Sequence, residues 1–194
     1  RMANRVSKRE LYEWSLATVD GEPAVASNGL AMAPTVPIDN IGPANIVFVV
    51  GGIQVEKATT PNVLAVLRRL AQRHVSLGSL CTGGYALAKA GLLDKYRAVI
   101  HWENMTALRE EFPRVMFSDQ LFAIDRDRYT CTGGIAPLDL MLHIIKQHQG
   151  RDIAPLITEQ FILDRIRNDQ DRQHIPLQAR VGLFHENLIE AAAL

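Results

Sequence analysis

Surplus charge of either sign is missing: Lys and Arg number 21 against 21 for Asp and Glu in a chain of 194 residues. A surface built mainly to grip nucleic acid needs excess positive charge to displace counterions, so that role is excluded here. If DNA is engaged, another part of the protein holds it. Long apolar runs are also missing. The longest, 46–50, stops at Gly51-Gly52, far short of the roughly 20 residues that cross a bilayer. The opening Arg1-Met2-Ala3-Asn4-Arg5 has no apolar core of the secretory kind, and the expected location is the cytoplasm. Cysteine is scarce. Cys81 and Cys131 provide no disulfide framework and too few thiols for structural zinc, so neither metal nor cofactor is expected. What is present is a composition 47% hydrophobic and 22% charged, which predicts a packed globular domain.

Periodicity organises that domain. Stretches 11–19 and 24–31 look like strands, with Asp20-Gly21 and Asn28-Gly29 as turns. The β-branched run 45–50 feeds a helix from about Thr60, with Val63, Leu67 and Leu70 on one face. The unit repeats as strand 75–80 and helix 85–93, then as strand 97–101 and a helix carrying Met105, Leu108 and Phe112. A strand pair, 120–125 and 128–132, turns at Arg126-Asp127. A helix over 135–148 follows, apolar on nearly every side and therefore central. A second helix is expected over 152–167, and 168–174 reads as an exposed polar segment. Such alternation predicts an α/β three-layer sandwich around a mostly parallel, flavodoxin-like sheet.

The most specific local signal is Ser79-Leu80-Cys81-Thr82-Gly83-Gly84 between a strand and a helix. Small residues two before and two after the central one meet the steric demand of a nucleophile elbow. A thiol at Cys81 then lies beside a helix N-terminus, which favours the thiolate. The competing reading makes Cys81 a small buried hydrophobe. No base is evident near it in sequence, since Thr82 follows it and His101 is remote. His101-Trp102-Glu103 closes the next strand at the edge where α/β sheets bind ligands, and Trp102 with Glu103 suits a cationic nitrogen; core packing is the alternative. Gly51-Gly52 and Gly133-Gly134 let backbone amides approach a ligand or cap a helix. Neither fits a dinucleotide or phosphate-loop pattern. Asp139 reads as structural, His143 as a packing residue and His148 as a surface residue.

Together these motifs resemble the class I glutamine-amidotransferase-like superfamily that includes PfpI-type proteases and isonitrile hydratases. Within it they resemble the sensor domain of AraC-family transcriptional regulators. The resemblance runs through Leu11-Tyr12-Glu13-Trp14, Phe48-Val49-Val50-Gly51-Gly52, Cys81-Thr82-Gly83, Ala90-Gly91-Leu92-Leu93, His101-Trp102-Glu103 and Asp139-Leu140-Met141-Leu142. It implies a non-enzymatic domain over 1–174 that senses a small amino-acid-like or betaine- or carnitine-like effector, with Gly51, Gly52, Cys81, Thr82, His101, Trp102 and Glu103 as ligand-binding residues. It also implies a homodimer, and a linker over 175–194 entering a helix-turn-helix domain absent from this sequence, through which DNA is bound. Family members place a first strand and most of a helix ahead of the residues matching Arg1-Met2-Ala3-Asn4. Thr82 stands where PfpI-type proteases have His, which argues against a peptidase. The alternative is a cysteine-dependent enzyme like isonitrile hydratase or a hydrolase.

Overall fold

The computed structural model describes residues 1–173. Helix α1 (Met2–Ser7) is tied to the chain that follows it, because the Asn4 side chain accepts from the Leu11 and Tyr12 amides and donates to the Tyr12 carbonyl at 2.7 Å. Residues 11–19 form no strand, contrary to the alternation read from the sequence. Their backbone groups meet loop partners instead: the Thr35 and Val36 amides donate to the Leu16 carbonyl. The expected strand 24–31 is a small hairpin, β1 (Ala24–Val25) against β2 (Ala31–Met32), with Asn28-Gly29 inside it as the turn.

Strand β3 (Ile46–Val50) leads through α2 (Val55–Ala58) to α3 (Pro61–Gln72). Thr60 starts α3 by accepting from the Val63 amide, and Pro61 fits the first helical position, where no N–H is needed. Strand β4 (Ser76–Leu80) is followed by a 3-10 turn, Cys81–Gly83, and by α4 (Gly84–Lys89). Strand β5 (Arg97–Val99) precedes α5 (Trp102–Glu111). Next come β6 (Met116–Ser118), too short to stand out in the sequence, and the hairpin β7 (Phe122–Asp125) and β8 (Arg128–Cys131). Helices α6 (Ala136–Gln149) and α7 (Ile153–Gln160) complete the described order, α7 ending well before the expected 167.

The main sheet runs β3-β4-β8-β7, with β3, β4 and β8 parallel and β7 antiparallel to β8; β5 and β6 form a parallel pair beside it. Val50, Leu80 and Cys131 stand in register at the carboxyl ends of the three parallel strands. Among the described residues β3 pairs on one side only. One core joins Leu67, Leu70, Leu77, Leu87, Met105 and Leu108. A second, around Phe122, Cys131, Leu140 and Ile144, packs α6 on the sheet. A third joins α6 to α1 and α7 through Leu142, Ile145, Ala3 and Ile157. This is the three-layer α/β sandwich expected, and it explains why α6 is apolar nearly all round: both of its flanks are covered. Each fully buried Leu or Ile contributes about 1.5–3 kcal/mol by leaving water.

Asp139, on α6 and 3% exposed, is held as a structural residue. It accepts from the Arg167 amide at 3.0 Å and from the Arg167 guanidinium at 2.6 and 2.9 Å. His143 packs on Phe122, and exposed His148 stacks with Tyr12. The segment expected to be exposed over 168–174 is exposed at Asn168, Gln170 and Arg172, with residue 174 outside the described residues, and it is fastened as well. Arg165 pairs with Asp171, Arg172 bridges to Gln120, and Gln173 is buried. Polar composition alone could not show this, because an exposed polar side chain can pair with another polar group as well as meet water.

Candidate functional site

The turn after β4 is a strained one. Cys81 has φ +57°, a left-handed conformation that a residue with a β-carbon adopts at a cost of roughly 1–3 kcal/mol. Close packing holds it there. A β-carbon on Gly83 would stand 2.2 Å from the Val49 carbonyl oxygen, and one on Gly51 would stand 2.2 Å from the Gly83 nitrogen. Only glycine at both positions lets the loop after β3 touch the turn after β4. Thr82 Oγ1 donates to the Gly52 carbonyl at 2.8 Å, and the Gly51 amide donates to the Leu80 carbonyl at 3.2 Å. Thr82 and Gly51 therefore brace the elbow, while Gly52 is exposed. The elbow geometry expected for the Ser79-to-Gly83 motif is present, and Ser79 is completely buried beneath it.

Cys81 is half-buried. Burial pushes its thiol above the ordinary range; the Thr82 backbone opposes this by hydrogen bonding, and the nearby Glu103 carboxylate adds to it. Net ionisation is thus disfavoured, against the expectation drawn from the helix N-terminus. Helix α4 is short, and its dipole has the Glu103 charge to overcome. Cys131, wholly buried, donates to the Thr132 carbonyl at 3.1 Å, and burial raises its thiol much further.

Folding also supplies the neighbour that linear spacing did not reveal. A β-carbon on Gly133 would stand 3.0 Å from Cys81 Sγ and 3.0 Å from His101 Cδ2. The thiol and the imidazole therefore share the surface of Gly133, each within 3.0 Å of one point. His101 Nδ1 lies 3.6 Å from Glu103 Oε2, within ion-pair reach but too far for a hydrogen bond. The Trp102 ring lies 5.7 Å from the imidazole, centroid to centroid, and is half-buried. Thiol, imidazole, carboxylate and indole thus converge at the carboxyl edge of the sheet, where such folds place their sites. In the sequence Gly133 stands out only as half of a glycine pair. Ser27, which carries no sequence signal, reaches the same loop by accepting from the Ile53 amide. A separate cleft, lined by Ile41, Asn45, Arg73 and His74, opens at the amino ends of β3 and β4, away from all of these groups.

Fold and site define a class: an α/β sandwich carrying a cysteine on a nucleophile elbow. The chain belongs to the DJ-1/PfpI family, which residues 3–147 match. Over 194 residues, the whole of this chain, it is 44% identical to the HTH-type transcriptional regulator GbdR of Pseudomonas aeruginosa, covering 53% of that protein. An AraC family transcriptional regulator from Pseudomonas putida has a solved structure that superposes with a TM-score of 0.72 at 25% identity. That likeness covers 82% of this chain and 86% of the other. Isonitrile hydratase of Pseudomonas putida is 29% identical over 138 residues, 70% of this chain and 59% of the enzyme. The chain spans about half the length of the curated regulators it is similar to.

Proposed function

We propose that residues 1–174 are the effector-sensing domain of a longer transcriptional regulator of the AraC type, and that 175–194 lead into its DNA-binding part. The observation that carries this reading is the 44% identity to a regulator along the entire chain. The balanced charge agrees with it, because a domain of this composition leaves DNA to another part. The regulator works in the cytoplasm as a homodimer, whose two-fold symmetry suits paired DNA half-sites.

The effector is a small zwitterion, amino-acid-like or betaine- or carnitine-like. The Trp102 face and the Glu103 carboxylate receive its cationic nitrogen. The exposed Gly52 and the His101 imidazole receive its carboxylate, with Gly51 and Thr82 holding the loop and Cys81 lining the floor. The domain is a sensor and not an enzyme, a reading supported by a thiol whose surroundings oppose ionisation. Thermal-shift measurements with glycine betaine, L-carnitine and L-arginine test it. An effector that binds only the folded state raises the melting temperature in proportion to its concentration over its Kd. No shift with any zwitterion at millimolar concentration removes this effector class.

The second reading, a cysteine-dependent hydratase or hydrolase, is favoured by the convergence of Cys81, His101 and Glu103. Multiple turnovers on isonitrile or ester substrates, lost in Cys81→Ala, would establish it in place of the first.

A further inference from the structure

Gln173 is 9% exposed, an unusual setting for a glutamine in a polar segment at the end of the described chain. Its amide nitrogen donates to the Ile100 carbonyl at 2.9 Å and to the Gln120 carbonyl at 3.2 Å, while its amide oxygen accepts from Thr132 Oγ1 at 2.7 Å. These partners fix which end of the amide is which, since carbonyls only accept. Ile100 adjoins His101 and Thr132 adjoins Gly133. One side chain therefore spans both backbone segments that carry the neighbours of Cys81.

The backbone around Gln173 is fastened to the same place. Its amide donates to the Asp119 carbonyl at 2.8 Å, and the Leu121 amide donates to the Asp171 carbonyl at 2.9 Å. Leu121 in turn accepts from the Thr132 amide at 2.9 Å. Arg172 pairs with Asp119, Arg165 with Asp171, and Arg167 with buried Asp139. The fastened residues Arg165, Arg167, Asp171, Arg172 and Gln173 lie beyond residue 147, where the family match stops, and the partners Asp119 and Asp139 lie within it.

We infer that Gln173 is a positioning residue that couples the Cys81 site to the chain leaving the domain, so that occupation of the site and the placement of everything after Gln173 bias one another. Rigid packing makes this feasible. A group pressed between Cys81, His101 and Gly133 has little room to be absorbed locally, and the two strand ends it displaces are the two that Gln173 joins. Coupling of this kind is reciprocal: a shift in the exit segment alters the site by the same free energy. The inference rests on the sensing reading above for its purpose, but not for its test.

The test uses the intact gene product, with carbamidomethylation of Cys81 by iodoacetamide as the occupant and hydrogen exchange read by mass spectrometry. In the wild type, the adduct changes exchange of the Leu121 and Gln173 amides by at least about threefold. In Gln173→Met, of similar size but without the amide, that change disappears while the change over 101–105 persists. Thr132→Val removes only the arm toward Gly133 and weakens transmission; it also serves if Gln173→Met fails to fold. Exchange over 171–173 that ignores the adduct, or either variant transmitting like the wild type, overturns the proposal. The adduct fills the site without any effector, so a failed zwitterion screen and a failed coupling experiment are separate results.

Discussion

Cys81 and His101 both border Gly133, where a β-carbon would stand 3.0 Å from each side chain. Their proximity is made by topology: β4 ends at the elbow, His101 follows the end of β5, and the chain leaving β8 borders both at Gly133. An aromatic and a carboxylate follow His101 immediately, so one strand end supplies three of the groups at the site.

Gly133→Ala tests how tightly this is built. Its φ lies outside the left-handed region, so the only obstacle is the methyl group set against sulfur and imidazole. Overpacking of this sort costs about 1–3 kcal/mol. The expected result is a folded protein with a lowered Tm and no thermal shift from any effector that stabilises the wild type.

Alkylation rates report on the thiols. Since the Cys81 pKa is raised, iodoacetamide labelling is slow at neutral pH and accelerates as pH climbs past the ordinary thiol range, without a plateau near neutrality. Glu103→Gln removes a charge that opposes the thiolate, so its labelling at fixed pH is faster than in the wild type. Cys131, more deeply buried and raised further, labels more slowly than Cys81 in the native protein. A Cys81 rate that is already maximal at neutral pH would contradict the electrostatics described here.

Buried Cys131 also carries a stability signature. Its folded-state pKa is raised, so its contribution is fully present below the unfolded thiol value of about 8.5 and declines as pH rises above it, by up to about 1.4 kcal/mol per pH unit. Urea melts from neutral to alkaline pH should show this slope, and Cys131→Ala should lessen it, leaving the part that the raised Cys81 thiol contributes.

Asp139→Asn tests the fastening of the exit segment. The pair with Arg167 loses its charge at a position 3% exposed, and hydrogen bonds to charged groups contribute about 1.5–3 kcal/mol. Denaturant unfolding is expected to show a loss in that range. Exchange over 163–173 should also speed up more than exchange in β4.

This chain alone is expected to show no sequence-specific retardation of DNA at physiological salt. Its 21 basic residues are matched by 21 acidic ones, and no released counterions remain to drive binding. A mobility-shift titration decides the point.

The sequence announced the middle of the molecule well. Strand β3, helix α3 and strand β4 were legible because β-branched runs, the Thr60-Pro61 start and the small residues around Cys81 each have one dominant physical reading. Residues 11–19 misled because alternation describes side chains, and a ladder also needs a partner strand; here the Leu16 carbonyl bonds to a loop. The sequence marks His101 but does not set it beside Cys81, since adjacency of strand ends is decided by crossovers of the whole chain. Gln173 was illegible for a different reason. A glutamine among polar residues looks solvated unless the three groups that receive it are already in place.

The side of β3 that has no partner among the described residues bears on how the 194-residue chain is handled in solution. Ile46–Val50 presents one row of amides and carbonyls without a sheet partner among the described residues, on an apolar strand whose last residue, Val50, is 74% exposed. Such a row is a template on which any extended chain, including a second copy, can add itself. Self-association measured by sedimentation therefore has two possible origins. A lysine gatekeeper, Val50→Lys, separates them: association that vanishes with it is strand-to-strand templating, and association that survives belongs to a dimer formed elsewhere on the surface.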